Sequence, residues 1–204
     1  MQVYNPLQKF GLNSVIAAFS KRQDGNMSLG YGDTAGSLEN RKKFLDTIGI
    51  DYRDLICAQQ AHGKNVAYVT EENKGRGALD YASSFADTDG FITDKQGVPV
   101  AILTADCLSV FIYDPQRPAI AILHAGWRGS EKNMCAEGSR VMRERFDSQP
   151  QRLFAGFGPS IRSCCLEVEQ DFKSNFSFGL INRGGRIFMD IALINQKQLV
   201  NAGV

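Results

Sequence analysis

Three side chains in this sequence have the types and surroundings of metal ligands: His62, Cys107 and His124. They lie in Gln60-Ala-His-Gly63, Thr104-Ala-Asp-Cys107 and His124-Ala-Gly126, each beside a glycine or in a polar turn just after an apolar segment. Imidazole nitrogen and thiolate both suit zinc, and three protein ligands leave a fourth position for water or substrate. A metal held there would lower the pKa of a coordinated water and create a nucleophile near neutral pH. The spacing is long-range, without CxxC or HxxxH, so on spacing alone the plainer reading, a core histidine, a surface histidine and a buried cysteine, prevails.

The same residues support metal-free chemistry. Cys107 could serve as a thiolate nucleophile with His124 or His62 as its base and Asp106 orienting that base. Asp106 could instead simply close the turn. Gly126-Trp127-Arg128-Gly129-Ser130 leads from a strand into a helix. Helix N-termini expose free N–H groups and favour anions, and Arg128 adds a bidentate donor for phosphate or carboxylate. A plain strand-to-helix turn with Arg128 solvated and Trp127 packed inside is the other reading.

These residues need elements to position them. The runs 99–103, 108–113 and 119–123 are short and rich in β-branched and aromatic residues, and read as strands. Asp114-Pro-Gln-Arg-Pro118 between the last two is turn chemistry. Further strands are expected at 14–20, 66–69, 153–157 and 187–190, and 86–93 carries a turn and then a strand. Helices are expected at 38–48 with Ser37 as N-cap, from Ser130 as N-cap through Phe146, at 168–176 and at 191–202. The basic run Arg41-Lys42-Lys43 reads as a solvated helix face. Cys57 and Cys135 have apolar neighbours and read as inert, and the adjacent Cys164 and Cys165 as structural. Gly156-Phe-Gly-Pro-Ser160 fits neither dinucleotide-binding nor Walker patterns.

At 204 residues, one domain covering 1–204 is expected, with no linker or repeat. Strands and helices intermix, which makes the class α/β or α+β. A hydrophobic content of 43% with 22% charged residues is that of an ordinary globular chain. The net charge of +1 gives no electrostatic case for nucleic acid or an anionic membrane as partner. No apolar run approaches the ~20 residues a spanning helix needs. Five cysteines without disulfide-scaffold spacing predict a reduced, cytoplasmic protein.

Thr104-Ala-Asp-Cys107 followed by His124-Ala-Gly-Trp-Arg-Gly129 strongly resembles the laccase-domain family, also called the YfiH or multicopper polyphenol oxidoreductase family. The resemblance extends through Gln60-Ala-His-Gly63, Asp89-Gly-Phe-Ile-Thr93 and Gly158-Pro-Ser-Ile161, and to Ser28-Leu-Gly30 and Glu39-Asn-Arg41 at the front. It implies a single-domain α/β sandwich with a mixed β-sheet and flanking helices. It implies a zinc site formed by His62, Cys107 and His124. It also implies activity on purine nucleosides: phosphorolysis of adenosine, inosine, guanosine or methylthioadenosine, and deamination of adenosine. Ser28 and Arg41 match positions that help form the nucleoside or phosphate pocket, and Arg128 lies within the motif. The expected partners are a nucleoside and phosphate, and the expected assembly a monomer or homodimer. Family members usually continue past the segment matching Gly203-Val204, so a C-terminal portion of the domain is expected to be absent here.

The laccase name meets a physical limit. A mononuclear plus a trinuclear copper centre needs many imidazoles, and the chain has two histidines. One copper(II) in place of zinc, with phenol oxidation as a side reaction, stays open. So do a cysteine hydrolase built on Cys107 and an inactive binding module.

Overall fold

The computed structural model describes residues 4–12 and 14–204. At its centre is a hairpin of two seven-residue strands, β3 (Leu108–Asp114) and β4 (Ala119–Ala125). Both read as nearly unbroken apolar runs because both faces of the hairpin are covered. The turn between them is closed by Asp114, whose Oδ1 accepts from the N–H groups of Gln116 at 2.9 Å and Arg117 at 3.2 Å. Around this pair, β1 (Val66–Tyr68), β2 (Gly90–Thr93) and β5 (Phe154–Phe157) complete a five-stranded sheet in the order β1-β2-β4-β3-β5. The β1–β2 pairing is parallel and the others antiparallel, so the sheet is mixed.

Alternation along the central strands builds two cores. Leu108, Val110 and Ile112 with Ala121, Leu123 and Ala125 face the helices α3 (Met134–Phe146) and α5 (Ile191–Asn201). Phe111, Tyr113 and Ile122 face the other way, against Phe91, Ile56, Val69 and the irregular segments around Leu7 and Ala17. Truncating a fully buried residue such as Leu123 to Ala would cost about 2–5 kcal/mol. A second sheet, β6 (Glu167–Val168), β7 (Leu180–Arg183) and β8 (Arg186–Met189), is antiparallel in the order β6-β8-β7. The helices α1 (Thr34–Asp46), α2 (Trp127–Glu131) and α4 (Phe172–Asn175) complete the set.

Several expected elements differ. Residues 14–20 form no strand; Phe19 makes a single bridge to Tyr4. Residues 99–103 likewise contribute one parallel bridge, Val100 to Ile56, and run as an apolar lining for the second core. Neither segment has a full-length neighbour to pair with. Helix α1 begins four residues earlier than expected because Asp33, with two carboxylate oxygens on the N–H groups of Ala35 and Gly36, caps it in place of Ser37. Ser130 caps nothing: it lies buried inside α2 and accepts from Asn195 Nδ2 at 2.7 Å. The expected helix at 168–176 shrinks to the four residues of α4. The hairpin β7–β8 had its signal in Gly184-Gly185, whose φ values of 60° and 83° are those of a tight hairpin turn.

Candidate metal centre

The equal lengths of β3 and β4 decide where the chemistry sits. Leu108 pairs with Ala125, so Cys107, one residue before β3, comes to lie against Gly126, one residue after β4. His124 is the penultimate residue of β4, opposite Ser109. A Cβ on Gly126 would stand 2.8 Å from Cys107 Sγ and 3.2 Å from His62 Cδ2, so a side chain there would push the two ligands apart. His62 arrives from a separate loop. That loop is locked to the Cys107 side by Gln60, whose Nε2 donates to Leu103 O at 2.8 Å and whose Oε1 accepts from Leu103 N at 2.7 Å.

The carboxylate that completes this site is Asp89, which is fully buried. It sits just before β2 in a transverse row with Asn65, His124 and Ser109: Asp89 N–H donates to Asn65 O, and His124 N–H to Asp89 O. Its Oδ1 hydrogen-bonds His124 Nδ1 at 2.8 Å and accepts from His62 N–H at 3.0 Å. Its Oδ2 accepts from Ala61 N–H at 3.1 Å and Gly63 N–H at 2.7 Å. His62 has φ 57°, a left-handed conformation uncommon for a side chain of this size. The three backbone N–H groups gathered on Asp89 hold that strained turn in place. One buried carboxylate therefore sets both the loop of His62 and the ring of His124. Its only local trace in the sequence is a carboxylate just ahead of the short run Gly90-Phe-Ile-Thr93, which is fully buried, and that trace does not reveal its partners.

The ligand atoms of His62, Cys107 and His124 lie within 4.8 Å of one another, and the two imidazole rings meet edge to face with centroids 4.8 Å apart. With Nδ1 on Asp89, His124 directs Nε2 toward the other two, as metal-bound histidines backed by a carboxylate do. His124 is buried, whereas His62 and Cys107 are only partly so, which leaves the group open on one side. The donor set, the backing carboxylate and the glycine that leaves room for sulfur all fit a single zinc-like ion.

The metal-free electrostatics agree with this arrangement. Burial opposes charge on His124, but the hydrogen bonds to Asp89 and Cys107 outweigh it and push its pKa up to about 9. Burial, then the neighbouring His124, then Arg128, push His62 downward. Burial alone would raise Asp89, but His124 and the N–H groups of Gly63 and Ala61 hold it below the usual carboxylate range.

The remaining sequence candidates fall around this centre in different ways. Asp89, not Asp106, orients His124. Asp106 is exposed, and its backbone oxygen accepts from Ile161 N–H at 2.9 Å. Arg128 is exposed over the Trp127 ring, with Cζ 4.1 Å from the ring centroid, and makes no ion pair among the described residues. Its influence on His62 puts it within electrostatic reach of the open side. Five-residue α2 is too short for much of a macrodipole, so the anion-seeking group here is the Arg128 side chain rather than a helix end. Trp127 packs on Phe172, as expected of a structural residue.

Arg41 is not on a solvated face. It is 3% exposed, and its Nε donates to Met27 O at 2.7 Å while one terminal nitrogen donates to Gly77 O and Ala78 O, both at 2.8 Å. It thereby ties the loop of Ser28 to residues 77–78. Ser28 Oγ accepts from Gly30 N–H at 3.2 Å within that loop. No hydrogen bond joins Ser28 or Arg41 to the His/Cys/His group among the described residues. Cys57 and Cys135 are buried, and burial pushes both thiols up, consistent with inert side chains.

Residues 17–204 match the family model described as multi-copper polyphenol oxidoreductase laccase. The chain belongs to this laccase-domain family. It is 32% identical to purine nucleoside phosphorylase YlmD of Bacillus subtilis over 165 residues, which cover 76% of this chain and 59% of that protein. It is 28% identical to adenosine deaminase RL5 of an unknown prokaryotic organism, over 84% of this chain and 69% of that protein. The crystal structure of YlmD from Geobacillus stearothermophilus superposes with a TM-score of 0.84 at 27% identity, covering 88% of this chain and 70% of that one. Bacillus licheniformis YfiH gives the same TM-score at 29% identity, over 87% and 70% of the two chains. The mixed sheet with flanking helices is thus the fold of the laccase-domain family. The chain spans 59% of the B. subtilis relative's length. Among the described residues, no helix is long and apolar enough to cross a membrane.

Proposed function

We propose that this laccase-domain chain is a zinc-dependent purine nucleoside enzyme. Its reactions would be phosphorolysis of adenosine, inosine, guanosine or methylthioadenosine and deamination of adenosine. The observation that carries this reading is the convergence of His62, Cys107 and His124 on one another, with Asp89 behind His124. It is supported by the family membership and by relatives named for both activities.

His62, Cys107 and His124 would hold the ion, which when bound supplies Lewis acidity at the open side of the group. The chain's own residues do the rest. Asp89 fixes the His124 ring and keeps Nδ1 occupied. In phosphorolysis a phosphate oxygen bonds to C1′ of the ribose as the bond from C1′ to the base breaks, so an anion must be held beside the sugar. We assign that task to Arg128, whose guanidinium is exposed and free of ion pairs among the described residues. Proton transfer to or from the purine is assigned to Asp106, the exposed carboxylate beside Cys107. Arg41 acts as a positioning residue through the Ser28 loop, and Ser28 is the group in that loop that would meet the nucleoside. A cytoplasmic setting and a monomeric or homodimeric assembly belong to the same proposal. Copper(II) would occupy the same ligands more tightly than zinc, and phenol oxidation would then be a consequence of metal loading.

A second reading has its own observation. Cys107 Sγ lies within 4.8 Å of the His124 ring nitrogen, and His124 hydrogen-bonds Asp89, an order that also describes a cysteine nucleophile with an oriented base. Incubating the protein with adenosine, with and without phosphate, followed by chromatography, tests both. Adenine formed only with phosphate, or inosine formed without it, and either one lost in strong chelator, supports the metal-dependent nucleoside enzyme. Turnover that survives chelation but not thiol alkylation overturns it in favour of the cysteine mechanism. The absence of both products overturns the nucleoside assignment.

A further inference from the structure

A pair of cysteines away from the His/Cys/His group has no part in the function above. Cys164 and Cys165 are both exposed, and their sulfur atoms lie 3.3 Å apart. The sequence alone suggested two structural thiols, but neither is packed into a core. The turn that carries them is well braced. Cys165 N–H and Leu166 N–H both donate to Arg162 O at 2.9 Å, and an Arg183 terminal nitrogen donates to Ser163 O at 3.0 Å. A short, hydrogen-bonded turn therefore presents two thiols side by side in water, so little ordering is needed to engage both at once.

Oxidation to a disulfide is disfavoured by geometry. Adjacent Cα atoms are ~3.8 Å apart across a trans peptide, below the ~4.4–6.8 Å span that disulfides ordinarily need. A strained disulfide is readily reduced, so the pair stays as a dithiol. Two soft donors on neighbouring residues can close a chelate ring around one soft atom, which a lone thiol cannot do.

We propose that Cys164 and Cys165 form a second ligand site, a chelating dithiol for a neutral trivalent arsenical, separate from His62, Cys107 and His124. Each thiol forms one As–S bond and displaces one hydroxyl from R–As(OH)2. The two thiol protons leave with the two hydroxyls as two waters, and no oxidant or reductant takes part. Cys164 hydrogen-bonds the Cys165 thiol and pushes its pKa up. That favours a reagent that accepts protonated thiols over a dication that needs both thiolates free. The site also has a structural link to the metal centre: Ile161, at the start of the same segment, donates its N–H to Asp106 O in the turn that carries Cys107.

The test uses the full chain and phenylarsine oxide as probe, read by intact-mass spectrometry after removal of excess reagent. One adduct per chain is expected, with loss of two waters relative to the hydrated reagent. It should be reversed by a small 1,2-dithiol and not by an equivalent monothiol. Cys164→Ser and Cys165→Ser, both at exposed positions, should each abolish the stable adduct, while Cys107→Ser should retain it. An adduct that persists in either exposed-site variant, vanishes in Cys107→Ser, or is stripped by the monothiol overturns the proposal.

Discussion

Asp89 is the residue on which the candidate centre turns, because it joins two jobs that could have been separate. It neutralises and aims the His124 ring, and it gathers the N–H groups of Ala61, His62 and Gly63 that hold the His62 turn. Asp89→Asn keeps the shape but removes the charge. Metal affinity should fall about 10–100-fold, as when outer-shell partners of metal ligands are replaced, and stability by about 1–3 kcal/mol. Metal titration and thermal melts of the variant check both. The same pair sets a pH dependence. The folded-state pKa of His124, about 9, lies above its ordinary value of 6.5. Below 6.5 the stabilisation from the charged pair is fully present, and it is lost as pH rises through about 9. The melting temperature of the metal-stripped protein should therefore fall across that window. Asp89→Asn should flatten the fall; a flat or rising profile in the parent protein would contradict the pairing.

At the scale of elements, the site exists because β3 and β4 are equal in length and joined by a tight turn. That places Cys107 and Gly126 together at the open end of the hairpin. Gln60 then fastens the His62 loop to the strand leading into Cys107 through two hydrogen bonds to Leu103. Gln60→Leu leaves both backbone groups of Leu103 without that partner and should cost about 1–3 kcal/mol. It should also weaken metal binding without touching a ligand, which calorimetry with zinc would register. The hairpin was legible in sequence because two apolar runs flank a proline-containing turn, and α5 because apolar spacing runs from Asp190 to Gly203. The triad was legible as residue types and its joining only through the family resemblance, since His62 meets the others by long-range contacts that no local pattern encodes. Asp89 was missed for the same reason. Residues 14–20 and 99–103 have strand composition without strand partners, and pairing is a property of the whole sheet. Arg41 looked like one of three surface cations because nothing local reveals that Met27, Gly77 and Ala78 turn their carbonyls toward it.

Across the whole molecule, one end of a two-faced sheet carries the chemistry, while the packing that holds it lies in the two cores beneath. Ligands drawn from a loop, a strand entry and a strand end make metal binding and folding interdependent. A metal present at about 100 times its Kd stabilises the folded chain by about 2.7 kcal/mol. Stripping it with a chelator should lower the melting temperature by several degrees, and restoring zinc should recover it. An unchanged melting temperature would mean that the three side chains do not share an ion.

The most direct measurement takes parent protein, His62→Ala, Cys107→Ser and His124→Ala through one set of preparations. Metal per chain, adenosine consumption and circular dichroism are recorded for each. The expected result is one metal per parent chain, with metal and turnover lost together in all three variants while the fold persists. A variant that loses its metal yet consumes adenosine at the parent rate, or one that keeps its metal without the ligand, would contradict a shared metal centre as the seat of the activity.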